Sequence, residues 1–180
     1  MEKKKKTKLG MYFSFGITIL IIVLVLKLLN WIPSSFQKED IRKYKTVEDV
    51  KAKLKISRVY VPAYFPEKIK WPPAEIFAQK KPFLLIMMHF AHMDSKSIAL
   101  SVYQVDSKAN FEPHRDVLYV KRESSLSVKG REGRLRMAVC RGNERCNSIS
   151  LEEGKFRLTL IADDTPEQLV KMAESMLPGE

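Results

Sequence analysis

Apolar and polar positions change rhythm several times along the chain. From Leu9 to Leu26 there are 18 residues without a charge. At about 1.5 Å per residue such a run spans about 27 Å, close to the hydrocarbon thickness of a bilayer. Lys27 can snorkel, and Leu28, Leu29, Trp31 and Ile32 prolong the apolar stretch. The pattern predicts a transmembrane anchor over residues 11–32, with Tyr12 and Trp31 at its two interfaces. Val47, Val50 and Leu54 then recur at helical spacing behind Thr46, with Asp49 in the first turn, which predicts a short capped helix. Phe83–Phe90 and Ser97–Gln104 read as strands joined by a polar turn over Ala91–Lys96. The register expected for this pair sets Leu85 opposite Val102 and Met87 opposite Leu100. The first strand is apolar on both faces, so a cover is expected on each side of it.

The C-terminal half alternates with period two. Leu135, Met137 and Val139 are interleaved with Arg134, Arg136 and Ala138; Ile149 and Leu151 with Ser148 and Ser150; Phe156, Leu158 and Leu160 with Lys155, Arg157 and Thr159. Three strands with one apolar face each are expected. Joining Cys140 to Cys146 would set Met137 opposite Ile149, Leu135 opposite Leu151 and Arg134 opposite Glu152. The following hairpin would turn at Glu153-Gly154, with Leu151 opposite Phe156 and Ile149 opposite Leu158. Thr165 is the expected N-cap of the last helix, Pro166 its first residue, and Gln168 the partner that completes a capping box. Leu169, Met172, Ala173 and Met176 form its apolar stripe. The fold class expected is α+β: a largely antiparallel sheet with N- and C-terminal helices packed on it, preceded by one transmembrane helix.

Charge sets the topology. Lys3, Lys4, Lys5, Lys6 and Lys8 precede the apolar run, so the positive-inside rule keeps residues 1–10 as a cytoplasmic basic tail. Residues 33–45 follow as a juxtamembrane linker and 46–180 as an extracytoplasmic domain, periplasmic if the cell is Gram-negative. A cleaved signal peptide shares the basic start and apolar middle, but Leu29-Asn30-Trp31-Ile32-Pro33 offers no small-x-small cleavage site. The expected place is therefore the cytoplasmic (inner) membrane, single-pass, with the lipid bilayer itself as the partner of residues 11–32. The whole chain has a formal charge of +11 from 32 basic and 21 acidic residues. Beyond the anchor the signs are mixed, and an exported domain is not expected to meet nucleic acid.

Five of the nine prolines fall between Pro62 and Pro82. The runs Val61–Glu67 and Trp71-Pro72-Pro73 cannot be helix interiors or central strands, and a stiff, extended crossing segment with turns is expected. It offers Tyr64, Phe65 and Trp71 either as a partner surface or as rings packed on the domain's own sheet. Two cysteines in an exported domain suggest a disulfide, Cys140–Cys146, structural or redox-switched. His89 and His92 have strand spacing that separates them, and His114 stands apart, so no metal set is expected. Asp163 and Asp164 read as helix-start residues. No phosphate-binding loop, nucleophile elbow or His-Glu-x-x-His is present, so neither an enzyme nor a cofactor is expected.

Val59-Tyr60-Val61-Pro62-Ala63-Tyr64-Phe65-Pro66-Glu67 resembles the opening of an uncharacterised extracytoplasmic domain family found beyond single membrane helices, including the outer part of some anti-sigma factors. Val128-Lys129-Gly130, then Glu153-Gly154-Lys155-Phe156-Arg157-Leu158, and the run from Thr165 to Met176 are similar to the family's ending. The resemblance implies a sensor or regulatory binding domain and carries over no functional residue. Residues 1–10 are too few to fold into a sigma-binding unit. The function expected is thus a membrane-anchored extracytoplasmic binding or sensor domain contacting another envelope protein. A bitopic structural component of an envelope or secretion assembly is the alternative, and a small envelope enzyme the third.

Overall fold

The computed structural model describes residues 16–27, 41–113, 117–140 and 145–178. The chain divides into two compact units, Met1–Glu39 and Asp40–Glu180. In the first, residues 16–27 form a helix, α1, with exposed side chains. No helix among the described residues is long and apolar enough to cross a membrane. Both ends of the expected anchor, its preceding lysines, Tyr12 and Trp31 lie outside the described residues, as does His114.

The second unit is α+β. Its sheet is antiparallel throughout, in the order β1-β2-β3-β4-β8-β7-β6-β5. The strands are β1 (Arg42–Tyr44), β2 (Glu75–Gln79), β3 (Leu85–Ala91), β4 (Ile98–Asp106), β5 (Val117–Val128), β6 (Arg131–Cys140), β7 (Arg145–Glu153) and β8 (Phe156–Ala162). Helices α2 (Val47–Leu54) and α3 (Pro166–Met176) pack on one face, as the apolar spacing predicts. Val47, Val50 and Leu54 of α2 and Leu169, Met172, Ala173 and Met176 of α3 are all buried. Thr46 caps α2 through a bond from the Asp49 N–H to its hydroxyl (3.1 Å), and Thr165 caps α3 in the same way from the Gln168 N–H (3.4 Å). The capping box at α3 does not form. The Thr165 N–H is taken by Asp164 Oδ1 at 2.8 Å, and the Gln168 amide oxygen accepts from the Tyr64 hydroxyl instead.

The registers correct three expectations. Leu85 stands opposite Val105, not Val102, and Met87 opposite Tyr103, not Leu100. An odd shift exchanges faces, and only a strand with one polar face resists it. Here β4 is buried on both faces from Ala99 to Val105, so alternation could not fix its parity. In the C-terminal meander Leu135 faces Ile149, and Leu151 faces both Gly133 and Leu158, two residues away from each expected pairing. An even shift leaves every face unchanged, so the turns decide. Gly154 takes a positive φ of 59° as the first residue of a two-residue loop, which moves the turn to Gly154-Lys155. Cys146 lies opposite Ala138 rather than Cys140, yet the disulfide forms diagonally with Cα atoms 5.8 Å apart.

Three strands escaped the apolar pattern. Glu75–Gln79, inside the proline-rich stretch expected as an extended crossing, is β2 and pairs on both sides, because no proline falls between Pro73 and Pro82. Arg42–Tyr44, inside the stretch read as linker, pairs with β2 as an edge. Strand β5 is exposed over most of its length and carries two bulges, which leave Leu118 and Lys121 as extra residues against β6. Bulges sharpen local twist, and this one strand forms the side wall of an open trough of about 830 Å³ on the sheet face away from the helices.

Residues 55–74 cross the helix-covered side without regular structure. Gln104, fully buried in β4, holds them down: its Oε1 accepts the Tyr60 N–H at 3.0 Å and its Nε2 donates to the Arg58 carbonyl at 3.2 Å. One side chain thereby supplies the pairing that a neighbouring strand would give. Ser175 of α3 adds a second tie, its hydroxyl accepting the N–H groups of Ala63 and Tyr64, each at 3.1 Å. The cover expected on both sides of β3 is present. Ile86, Met88 and Phe90 lie in the main core, and Leu85 joins Tyr103, Val105 and Ile161 in a smaller cluster under Phe83, Phe111 and Cys140.

Candidate functional site

Where the crossing segment passes α2 and the end of α3, it leaves a groove of about 520 Å³. Val59, Val61, Pro72, Pro73 and Ile76 supply apolar lining, with Val47 of α2 and Met176 and Leu177 at the end of α3. Trp71 stands at its edge with 55% of its surface exposed. The indole is not free to wander. It packs against Phe65 (centroids 5.6 Å) and stacks on Phe90 at 6.2 Å, while Phe65 lies 5.0 Å from Phe90. Phe90 is a fully buried residue of β3, so the core itself fixes the ring.

The charged residues along the groove are Lys45, Lys51, Arg58 and one carboxylate, Glu48. The Arg58 guanidinium lies 5.5 Å from the centre of the Tyr60 ring, with Nη1 3.5 Å from the Tyr60 hydroxyl. That hydrogen bond holds Arg58 above its ordinary pKa. The groove thus offers an apolar floor, a rigid aromatic lip and a cationic margin. Such a surface suits an apolar side chain with a carboxylate close by.

The three aromatic residues singled out from the sequence separate. Trp71 lines the groove. Phe65 is half-buried packing between Trp71 and Phe90. Tyr64 is partly exposed, and its hydroxyl donates to Gln168 Oε1 at 2.8 Å, so it straps the crossing segment to α3. Arg58 and Tyr60, which build the groove wall, and Gln104, which holds that wall in place, were missed. A glutamine inside a mostly apolar strand was the available signal, since a buried amide needs partners.

Other polar clusters pair mostly among themselves or with nearby carbonyls. In the trough, Glu123 pairs with Arg136 at 2.8 Å and Arg134 at 3.8 Å, and Arg157 donates to the carbonyls of Ala109 and Phe111. Where β8 meets α3, Asp163 binds His92 (2.9 Å) and Lys68 (3.4 Å). Asp164 Oδ2 also lies 3.4 Å from Lys68 but is not aligned for a hydrogen bond, and it is buried. These aspartates start α3 and also tie the crossing segment and the β3–β4 turn to it. His89 bonds Ser101 at 3.0 Å. Among the described residues no three His, Cys, Asp or Glu side chains gather as a metal set. The Cys140–Cys146 bridge sits on the face away from the helices, next to the smaller apolar cluster.

Comparison with protein-family models, curated proteins and solved structures finds no match to this chain. The functional reading therefore rests on this geometry and on the sequence pattern.

Proposed function

We propose that residues 46–180 act as the extracytoplasmic binding or sensor domain of a membrane-anchored protein, and that the Trp71 groove takes a segment of another envelope protein. The observation that carries this reading is the indole itself. A tryptophan stacked on a core phenylalanine and still half in solvent is packed on one side and open on the other. Docking a partner there costs little side-chain entropy and removes apolar surface from water. The cationic margin favours a partner segment with an aspartate or glutamate beside its apolar anchor. The uncharged run from Leu9 to Leu26, with the lysines before it, supports tethering in the cytoplasmic membrane with the N-terminus inside.

The test is crosslinking and co-purification of the full chain from intact membranes, comparing the native sequence with Trp71→Ala and with Lys51→Glu/Arg58→Glu. A specific partner should be recovered with the native chain and fall about tenfold or more with each variant, as expected for a central anchor and its charged margin. Equal recovery with all three chains would refute the groove.

A further inference from the structure

The two edges of the sheet are protected differently. Strand β1 is three residues long, with Arg42 and Lys43 exposed. The first half of β5 carries its two bulges and Lys121, devices that keep an edge from pairing. From Glu123 to Val128 these devices stop: the six residues pair regularly with Arg136 to Arg131, and most are exposed. Lys129 and Gly130 both have positive φ (46° and 74°), as a two-residue hairpin loop of type I′ requires. Residues flanking such a loop exchange both backbone bonds, and bonded pairs then alternate along the ladder. Val128, Leu126 and Ser124 therefore spend their backbone groups on β6. Glu123, Ser125 and Ser127 point theirs outward, where among the described residues no strand lies.

We propose that this half-strand pairs with the same half-strand of a second copy of the chain. Only an extended backbone presents donors and acceptors at the matching interval. The second copy is favoured because the stretch fits itself. A two-fold axis through Ser125 sets Ser125 opposite its own counterpart and Glu123 opposite the counterpart of Ser127, so that from Glu123 to Ser127 no like charges stand face to face. On the helix side the same axis brings Leu126, only partly buried in one copy, beside the counterpart of Ser124 and covers it. The outward residues are small, and the Glu123 carboxylate is already drawn to Arg136. The result is one sheet continuous across two chains, independent of any groove ligand.

The pairing makes a positional prediction. Counterpart Ser125 residues form a bonded pair with Cα atoms about 5.5 Å apart, inside disulfide range. Counterpart Ser127 residues lie about 14 Å apart, outside it. Mild oxidation of the full chain in intact membranes should therefore link Ser125→Cys chains into dimers at about ten times the yield of Ser127→Cys chains. Adding Ser127→Pro to Ser125→Cys removes one outward N–H and leaves the β6 ladder alone, so the yield should drop; adding Ser127→Ala should not lower it. Equal yields from the two cysteine positions would overturn the proposal, as would a Ser127→Pro chain that links as well as its Ser127→Ala control. If Ser127→Pro prevents folding, the comparison of the two cysteine positions decides alone.

Discussion

Along β7 and β8 the side chains turned toward the helices, Ile149, Leu151, Leu158 and Leu160, are at most 2% exposed. Their immediate neighbours turned the other way, Ser148, Ser150, Arg157 and Thr159, line the open trough. The same strands thus carry a closed core on one side and a hydrogen-bonded polar surface on the other. The first face has two helices and the crossing segment laid over it. The second has a small apolar cluster near β3 and β4, and beyond it serine, threonine and arginine side chains that bond one another or nearby carbonyls. The contrast locates stability on one face. Stability resides in the core beneath the helices, and the groove is a seam in what covers that core.

The largest effect should come from breaking the core face. Leu158→Ala removes a fully buried side chain and should cost about 2–5 kcal/mol in chemical denaturation. Arg134→Ala on the trough face should cost less than about 0.5 kcal/mol. Equal losses would erase the distinction between the faces. Next is the tie between core and groove. Gln104→Leu keeps the strand but strands the Tyr60 N–H and the Arg58 carbonyl, at about 1–3 kcal/mol for each group left without a partner. Its signature is twofold: lower stability, and a Trp71 emission spectrum that changes because the wall beside the groove is released.

Replacing both cysteines by serine should cost about 2 kcal/mol, since the bridge closes a short loop with a sequence separation of 6. The fold should survive, because the bridge lies away from the main core. A chain that fails to fold without it would place a larger share of the stability on the trough side. The smallest effect concerns the Lys43–Glu75 pair on that same side. Its hydrogen bond (2.8 Å) holds the Glu75 carboxyl below its ordinary pKa. A lowered folded-state pKa gives stability that is present above the unfolded value and lost as pH falls through the folded one. For so exposed a pair the contribution is slight. Lys43→Met should raise the Glu75 midpoint in a carboxyl-resolved NMR titration; an unmoved midpoint would show that the lysine is not the cause.

The helix-covered face was largely legible in the sequence. Period-two alternation marked β6, β7 and β8, helical spacing marked α2 and α3, and Thr46 and Thr165 marked their starts. Register was less legible for a definite reason. A two-residue slip keeps every side chain on its face, so the hydrophobic pattern in β7 could not choose, and the choice fell to the position of Gly154 in its turn. In β4 even parity was open, because both faces are buried. Strand β5 gave little burial rhythm before Leu126 and Val128 at its end, since an edge with two bulges has little to hide. Of the groove, Trp71 was visible as an aromatic in a proline-rich crossing. Its wall was not, because Arg58 and Tyr60 are placed by Gln104 across 44 residues of sequence between Tyr60 and Gln104.

The most direct test of the groove is a photoreactive residue placed at Trp71 in the full chain, with Arg134 in the trough as the comparison site, illuminated in intact membranes. A discrete adduct of one added protein from position 71, absent from position 134, is the predicted result. Adducts of the same protein in equal yield from both positions, or none from position 71, would contradict it.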